Sequence, residues 1–262
     1  MTVTLRSTAE LGTILSVWAH PDDETYLAAG VMAAATARGQ RVVCVTATAG
    51  ERGTADPEAW PPARLGRRRR WEAAAAMAVL GVTEHHIMGL PDGALSDHDA
   101  QGVTMVGRLL DEVRPDTLLT FGPDGMTFHP DHIAVSRWVT TAWEQRSRRG
   151  RLLYATSTEE HLRRFAELYE EWNAYMSDER PVGVPTDELA VHVVLDGWQL
   201  DRKLTALAAM ASQTAGLMAT IDPGTYAMQV AEEAFIDAAR SRRPRQPVGA
   251  GRQAVAAPPA VS

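Results

Sequence analysis

The sequence predicts an α/β protein with a Rossmann-like, doubly wound, mainly parallel sheet flanked by helices, followed by a C-terminal α+β elaboration. Two observations carry this expectation. Apolar runs of strand length, Thr13–Ala19 and Arg41–Thr48 among them, lack the in–out alternation of half-exposed strands, as strands covered on both faces do. Helical stretches closed by Gly or Pro separate them, and such alternation calls for parallel strands joined by right-handed crossovers.

In chain order, Thr13–Ala19 reads as the first strand, and Glu24–Arg38 as a helix with Gly39 at its C-terminal cap. Arg41–Thr48 is the second strand. A loop holding Gly50-Glu51-Arg52-Gly53 and ending in Pro61-Pro62 leads to a helix over Ala63–Leu80 that stops at Gly81. His85–Met88 is a short third strand, and Ala100–Arg114 a helix ended by Pro115. Thr117–Phe121 is the fourth strand, His132–Arg146 the next helix and Arg151–Ala155 the fifth strand. Ser157–Asp187 holds an acidic, aromatic helical piece broken by Pro181 and Pro185. Val191–Leu195 follows as a strand, Asp196–Ala211 as a helix and Thr225–Arg240 as a last amphipathic helix. Residues 1–240 read as one domain. Residues 241–262, rich in Arg, Pro, Gly and Ala without periodic apolar positions, read as a disordered tail.

Composition narrows the function classes. A hydrophobic content of 45% and a charged content of 23% are those of ordinary globular proteins. The formal net charge of -7 offers no basic field for nucleic acid. Cys44 is the only cysteine, so no intrachain disulfide forms, and a reducing cytoplasm is the expected location. The N-terminus lacks the order of a signal peptide, and no apolar run reaches bilayer length; no membrane partner is expected. Oligomeric state, including a homo-oligomer, stays open.

Two segments carry the chemistry. His20-Pro21-Asp22-Asp23-Glu24 follows the first strand, and His129-Pro130-Asp131-His132 follows the fourth. In strand order 3-2-1-4-5 these strands are neighbours, and ligands of open α/β sheets bind where their carboxyl ends diverge. A helix cap would explain the first segment alone. Two such segments converging on one crevice point instead to a metal centre. His20, Asp23 and His132 supply two imidazoles and one carboxylate, the ligand count of a catalytic zinc site with a position left for water. Such a set also accepts other divalent ions, Fe2+ included. Asp22 is then free to take a proton, His129 is placed to meet an oxyanion or a leaving amine, and Asp131 can brace a ligand imidazole. Glu24 reads as a first-turn helix residue. His85, His86, His98, His161 and His192 read as surface or edge histidines, and Cys44 as a core residue.

Ala19-His-Pro-Asp-Asp-Glu24, Thr48-Ala-Gly-Glu51-Arg-Gly53, Arg69-Arg-Trp-Glu72 leading to Leu80-Gly-Val82, and His129-Pro-Asp-His132 occur in the order found in the LmbE-like (PIG-L) family of zinc-dependent N-deacetylases, which the chain resembles over about residues 10–145. The resemblance implies zinc on His20, Asp23 and His132, Asp22 as general base and His129 as electrophilic or acid residue. It also implies that Glu51, Arg69 and Asp92 face a sugar-like substrate. Asp92, in Leu-Pro-Asp-Gly, reads equally as a turn residue, and three of Arg67–Arg70 as a solvated helix face. Thr127 stands where mycothiol-pathway members have a tyrosine, and Met210-Ala-Ser-Gln213 where members often carry His-x-(Ser/Thr)-Gln. The expected function is zinc-dependent removal of an acetyl or acyl group from an N-acetylated amino sugar or its conjugate, a small-molecule partner. The alternatives are an amidase acting on thiol-sugar or other larger amide conjugates and a non-catalytic sugar-binding protein.

Overall fold

The computed structural model describes residues 11–239, so the expected tail at 241–262 lies outside the described residues. Seven strands form one sheet in the order β3-β2-β1-β4-β5-β7-β6. β1 (Ile14–Trp18), β2 (Val42–Thr46), β3 (Glu84–Ile87), β4 (Thr117–Phe121) and β5 (Arg151–Thr156) are parallel to their neighbours. β1, β2 and β4 are buried along their whole length, which is why their sequences show no alternation.

The crossover helices are α1 (Asp23–Ala37), α2 (Pro62–Leu80), α3 (Asp99–Val113) and α4 (Pro130–Gln145). α1 packs with α2, and α3 packs with α4, so the two pairs clothe opposite faces of the sheet. Gly81 and Gly39, both at positive φ, end α2 and α1. Beyond β5 come two short helices, α5 (Glu159–Arg164) and α6 (Ala166–Glu171). They are followed by β6 (Val191–Val194), α7 (Gly197–Ala209), α8 (Ala211–Thr220), α9 (Pro223–Val230) and β7 (Glu232–Asp237). α7 packs on both α1 and α2.

One expected element is corrected. The helix anticipated over Thr225–Arg240 ends at Val230, and Glu232–Asp237 is strand β7, antiparallel to both β5 and β6. Tyr226 and Val230 keep helical spacing and are buried. The residues after them answer a different demand: β5 would otherwise present an unpaired edge, and β7 covers it. The segment expected as one helical piece between Ser157 and Asp187 is two short helices and an extended stretch bridged to Thr158 at Val184. Among the described residues, no helix is long and apolar enough to cross a membrane.

Candidate metal centre and active site

β1 delivers His20 two residues beyond its last member, and β4 delivers His129–His132 through the loop Gly122–Phe128. Because β1 and β4 are hydrogen-bonded neighbours, the two segments meet at their carboxyl ends. His20 Nδ1 lies 3.2 Å from His132 Nε2 and 3.6 Å from Asp23 Oδ2. Asp23 Oδ1 lies 3.3 Å from His132 Nε2. These three residues can each turn one ligand atom into a common space of metal-site dimensions.

The outer atoms of each imidazole fix what the inner atoms are. His132 Nδ1 donates to the Gly125 carbonyl at 2.9 Å, so Nε2 carries a bare lone pair. His20 Nε2 faces the carboxylates of Asp131 and Asp92, each at 3.2 Å, and donates to them, which leaves Nδ1 as its inner lone pair. With both imidazoles neutral, two nitrogen lone pairs and a carboxylate oxygen thus converge with no donor among them. Such a set repels itself unless a cation or a proton lies between its members. The pull for positive charge shows in His20: burial opposes its charging, but the bonds to Asp131 and Asp92 and the Asp23 carboxylate outweigh burial and raise its pKa to about 10. Burial and the neighbouring His20 hold His132 down to about 3, neutral as a ligand must be.

Asp131 is only 1% exposed. Its carboxylate accepts from the Gly93 and Leu95 amides and from His20, and these bonds hold it below the usual range against the opposing effect of burial. It braces His20 from behind. His129 caps α4, its Nδ1 accepting the Asp131 amide at 3.1 Å, so the ring proton sits on Nε2. Burial, then the charges of His132 and His20, lower its pKa to about 4 and keep it a neutral donor. Its ring centroid is 4.8 Å from those of both His20 and His132. A second grouping, His20, His129 and Asp131, also has ligand-like spacing. There, however, Nδ1 of His129 is occupied by a backbone amide and Asp131 is already shared among three donors.

Asp22 makes no helix-cap bond, and its backbone sits at φ 135, ψ -32, outside the comfortable range of a non-glycine residue. Such strain persists where the surroundings over-determine it. Burial pushes Asp22 up to about 6, against the pull of Arg69. Of Arg67–Arg70, Arg69 alone is buried. Its guanidinium donates to Gly50 O at 2.7 Å, Pro21 O at 2.6 Å and Asp22 Oδ2 at 3.1 Å. This explains the glycines of Gly50-Glu51-Arg52-Gly53. A Cβ at Gly50 would lie 2.1 Å from Arg69 Nη1 and one at Gly53 2.5 Å away, so the loop is a socket for that side chain. Asp92 is also turned inward, taking the Arg52 amide at 2.7 Å and His20, while Glu51 accepts the Asp92 amide at 3.0 Å and keeps partial exposure.

Glu24, read from sequence as a helix residue only, is fully buried under the corner. It accepts the Asp22 amide, and burial with the nearby Asp22 raises it to about 8. His161 is not a surface histidine: it is 8% exposed and bonded to the Tyr169 hydroxyl at 2.9 Å. Of the two positions that depart from the resemblance, Thr127 stays close to the centre, with Oγ1 3.4 Å from His132 Nδ1, whereas Met210, standing in place of the histidine, is buried in the main core.

The chain is similar to known proteins in both sequence and shape. Residues 15–143 match the family described as PIG-L: GlcNAc-PI de-N-acetylase. The chain is 36% identical over 200 residues to a 1D-myo-inositol 2-acetamido-2-deoxy-alpha-D-glucopyranoside deacetylase of Saccharomonospora viridis, covering 67% of this chain and 72% of that one. By shape it is similar to the N,N'-diacetylchitobiose deacetylase of Pyrococcus horikoshii, with a TM-score of 0.62 at 18% identity, covering 89% of this chain and 86% of that one. It is also similar to the 4-carboxy-2-hydroxymuconate hydratase of Pseudomonas putida, with a TM-score of 0.58 at 16% identity, covering 87% and 96%. The scaffold therefore serves more than one reaction, and the sequence relatives rather than the shape carry the assignment. On those relatives, the chain belongs to the PIG-L (LmbE-like) deacetylase family.

Proposed function

We propose that the chain is a zinc-dependent N-deacetylase acting on an N-acetylated amino sugar or a small conjugate of one. The observation that carries this reading is the convergence of His20 Nδ1, His132 Nε2 and Asp23 Oδ1, three acceptors with their outer atoms already engaged. The donor set fits a divalent ion of the zinc class, held by those three residues. Bound there, such an ion would polarise the acyl carbonyl and acidify a water.

The remaining work falls to the chain's own groups. Asp22, poised near neutrality, accepts a proton from the attacking water. The water oxygen adds to the amide carbon, and His129 Nε2–H donates to the oxygen that gains negative charge. As the C–N bond breaks, the proton held by Asp22 passes to the leaving amine, giving acetate and the free amino sugar. Arg69 holds Asp22 in place and Asp131 and Asp92 hold His20, so we assign all three as positioning groups. Glu51, partly exposed at the rim, is left to meet substrate hydroxyls.

The substrate class rests on what the relative from Saccharomonospora viridis is named for. A deacetylation screen over free, inositol-linked and glycopeptide-linked N-acetylglucosamine, with and without chelator, tests it. Chelator-sensitive release of acetate from at least one is expected. Amide hydrolysis of none of them would refute the amino-sugar reading. Asp22→Asn is expected to keep the ion and lose nearly all turnover; wild-type rates in that variant would refute the base assignment.

A further inference from the structure

Helix α1 begins in the active site, and a buried ion pair grips it one turn further on. Lys203 of α7 and Glu233 of β7 both have fully buried side chains, with Nζ 2.8 Å from Oε1. Lys203 Nζ also donates to the Tyr26 carbonyl at 2.6 Å. Glu233 accepts the Gly30 amide at 2.7 Å and the Val31 amide at 2.9 Å. Tyr26 C=O and Gly30 N–H are the two ends of one rung of the helix ladder, and the pair engages both.

From there the path to the catalytic corner is short. The Tyr26 and Thr25 amides donate to the Asp22 carbonyl, each at 2.9 Å, so a single residue separates Lys203 from the strained backbone of Asp22. The approach is close by construction: a Cβ on Gly30 would lie 2.3 Å from Leu195 Cδ2, in the segment that leads into α7. Lys203 is the only lysine in the chain, set where a compact ammonium meets a carbonyl and a carboxylate at once. As a source of stability such a pair is a poor choice, because apolar side chains of similar volume commonly serve as well or better.

We propose that Lys203 and Glu233 are positioning residues for the metal-and-base corner: by holding α1 at Tyr26, Gly30 and Val31, they fix where Asp22 and Asp23 stand. The inference rests on the metal-centre reading above. Its test uses the zinc-loaded full chain, Glu233→Gln and the charge-free double variant Lys203→Met with Glu233→Gln. The double variant avoids stranding a lone buried charge, and its glutamine still offers an acceptor to the α1 amides. Three quantities are measured: the rate at which excess chelator removes zinc, kcat and KM apart, and the melting temperature. Zinc release about tenfold faster and kcat about tenfold lower are expected in the double variant, with KM within about twofold, in the range seen when groups behind metal ligands are altered. Glu233→Gln, which leaves the buried Lys203 ammonium without its carboxylate, is expected to depart from the parent at least as far as the double variant. Variants that melt lower but release zinc and turn over at parental rates would overturn the proposal and leave the pair a structural feature. A parent chain that takes up no zinc would instead refute the metal-centre reading itself.

Discussion

Replacing Arg69 by methionine separates two roles the residue could have. The side chain is 4% exposed and its guanidinium supplies three hydrogen bonds: to the Gly50 and Pro21 carbonyls and to Asp22 Oδ2. Bonds from a charged donor are worth about 1.5 to 3 kcal/mol each. Water entering from the rim, where the Asp22 side chain is 20% exposed, replaces part of that, so a net loss of about 3 kcal/mol is expected. For a chain of this size that lowers the melting temperature by roughly 6 to 12 °C. The catalytic effect comes through Asp22, whose carboxylate loses its anchor. General-base catalysis contributes about 100- to 10,000-fold, and a poorly aimed base forfeits part of it, so kcat is expected to fall between about 10- and 100-fold. KM is expected to stay within about twofold, because the guanidinium is spent inside the protein. Bound metal is expected to be unchanged, since Arg69 touches none of the three ligands. Steady-state kinetics by release of free amine, with a melting curve and a metal assay on the same preparation, reads all four quantities. An unchanged kcat with a raised KM would refute the positioning argument and place the guanidinium against the substrate. Arg70→Met, on the solvent side of the helix, serves as control.

Further predictions follow from backbone and charge. Gly50→Ala puts a methyl into the Arg69 socket at a residue with φ +61, whereas Gly39→Ala, at φ +75 with nothing within 4 Å of its Cβ, pays only the backbone strain. Urea midpoints and kcat are expected to fall markedly in the first, while the second costs about 1 kcal/mol and leaves kcat alone; equal effects would refute the socket. His85, half-buried on β3 with Nε2 3.2 Å from Thr46 Oγ1, has its pKa lowered from 6.5 to about 4 by burial and by the nearby His86. Between those values the unfolded chain binds a proton that the folded chain does not, so stability is full above pH 6.5 and is lost as pH falls through the window toward 4. From pH 8 to pH 5 the loss is on the order of 2 kcal/mol. His85→Gln is expected to remove that slope in denaturation curves at the two pH values, and an unaltered slope would contradict the assignment.

How much of this was legible in the sequence follows from which forces act locally. β1, β2 and β4 were readable because strands buried on both faces are apolar throughout, and α1 to α4 because Gly and Pro mark the helix ends. That order then fixed which loops meet, so His20, Asp23 and His132 could be brought together before any coordinates. β7 was not readable: the helical spacing of Tyr226 and Val230 gives no sign that the six residues Glu232–Asp237 after them form a strand along the edge that β5 offers. Glu24 read as an ordinary first-turn helix residue and His161 as a surface or edge histidine; burial beneath the corner and beside Tyr169 depends on elements distant in sequence. The Arg69 socket left a trace, two glycines three residues apart, but no linear spacing ties them to a helix that begins beyond Pro61. Lys203 and Glu233 left a fainter one, a single lysine in a chain otherwise served by arginine.

Metal content, measured after exhaustive dialysis from zinc, tests the central claim most directly. About one zinc per chain is expected for the parent, for Asp22→Asn and for His129→Ala, and close to none for His20→Ala, Asp23→Ala and His132→Ala. Zinc retained at full level by the last three, or lost equally from all five variants, would contradict a centre built on His20, Asp23 and His132.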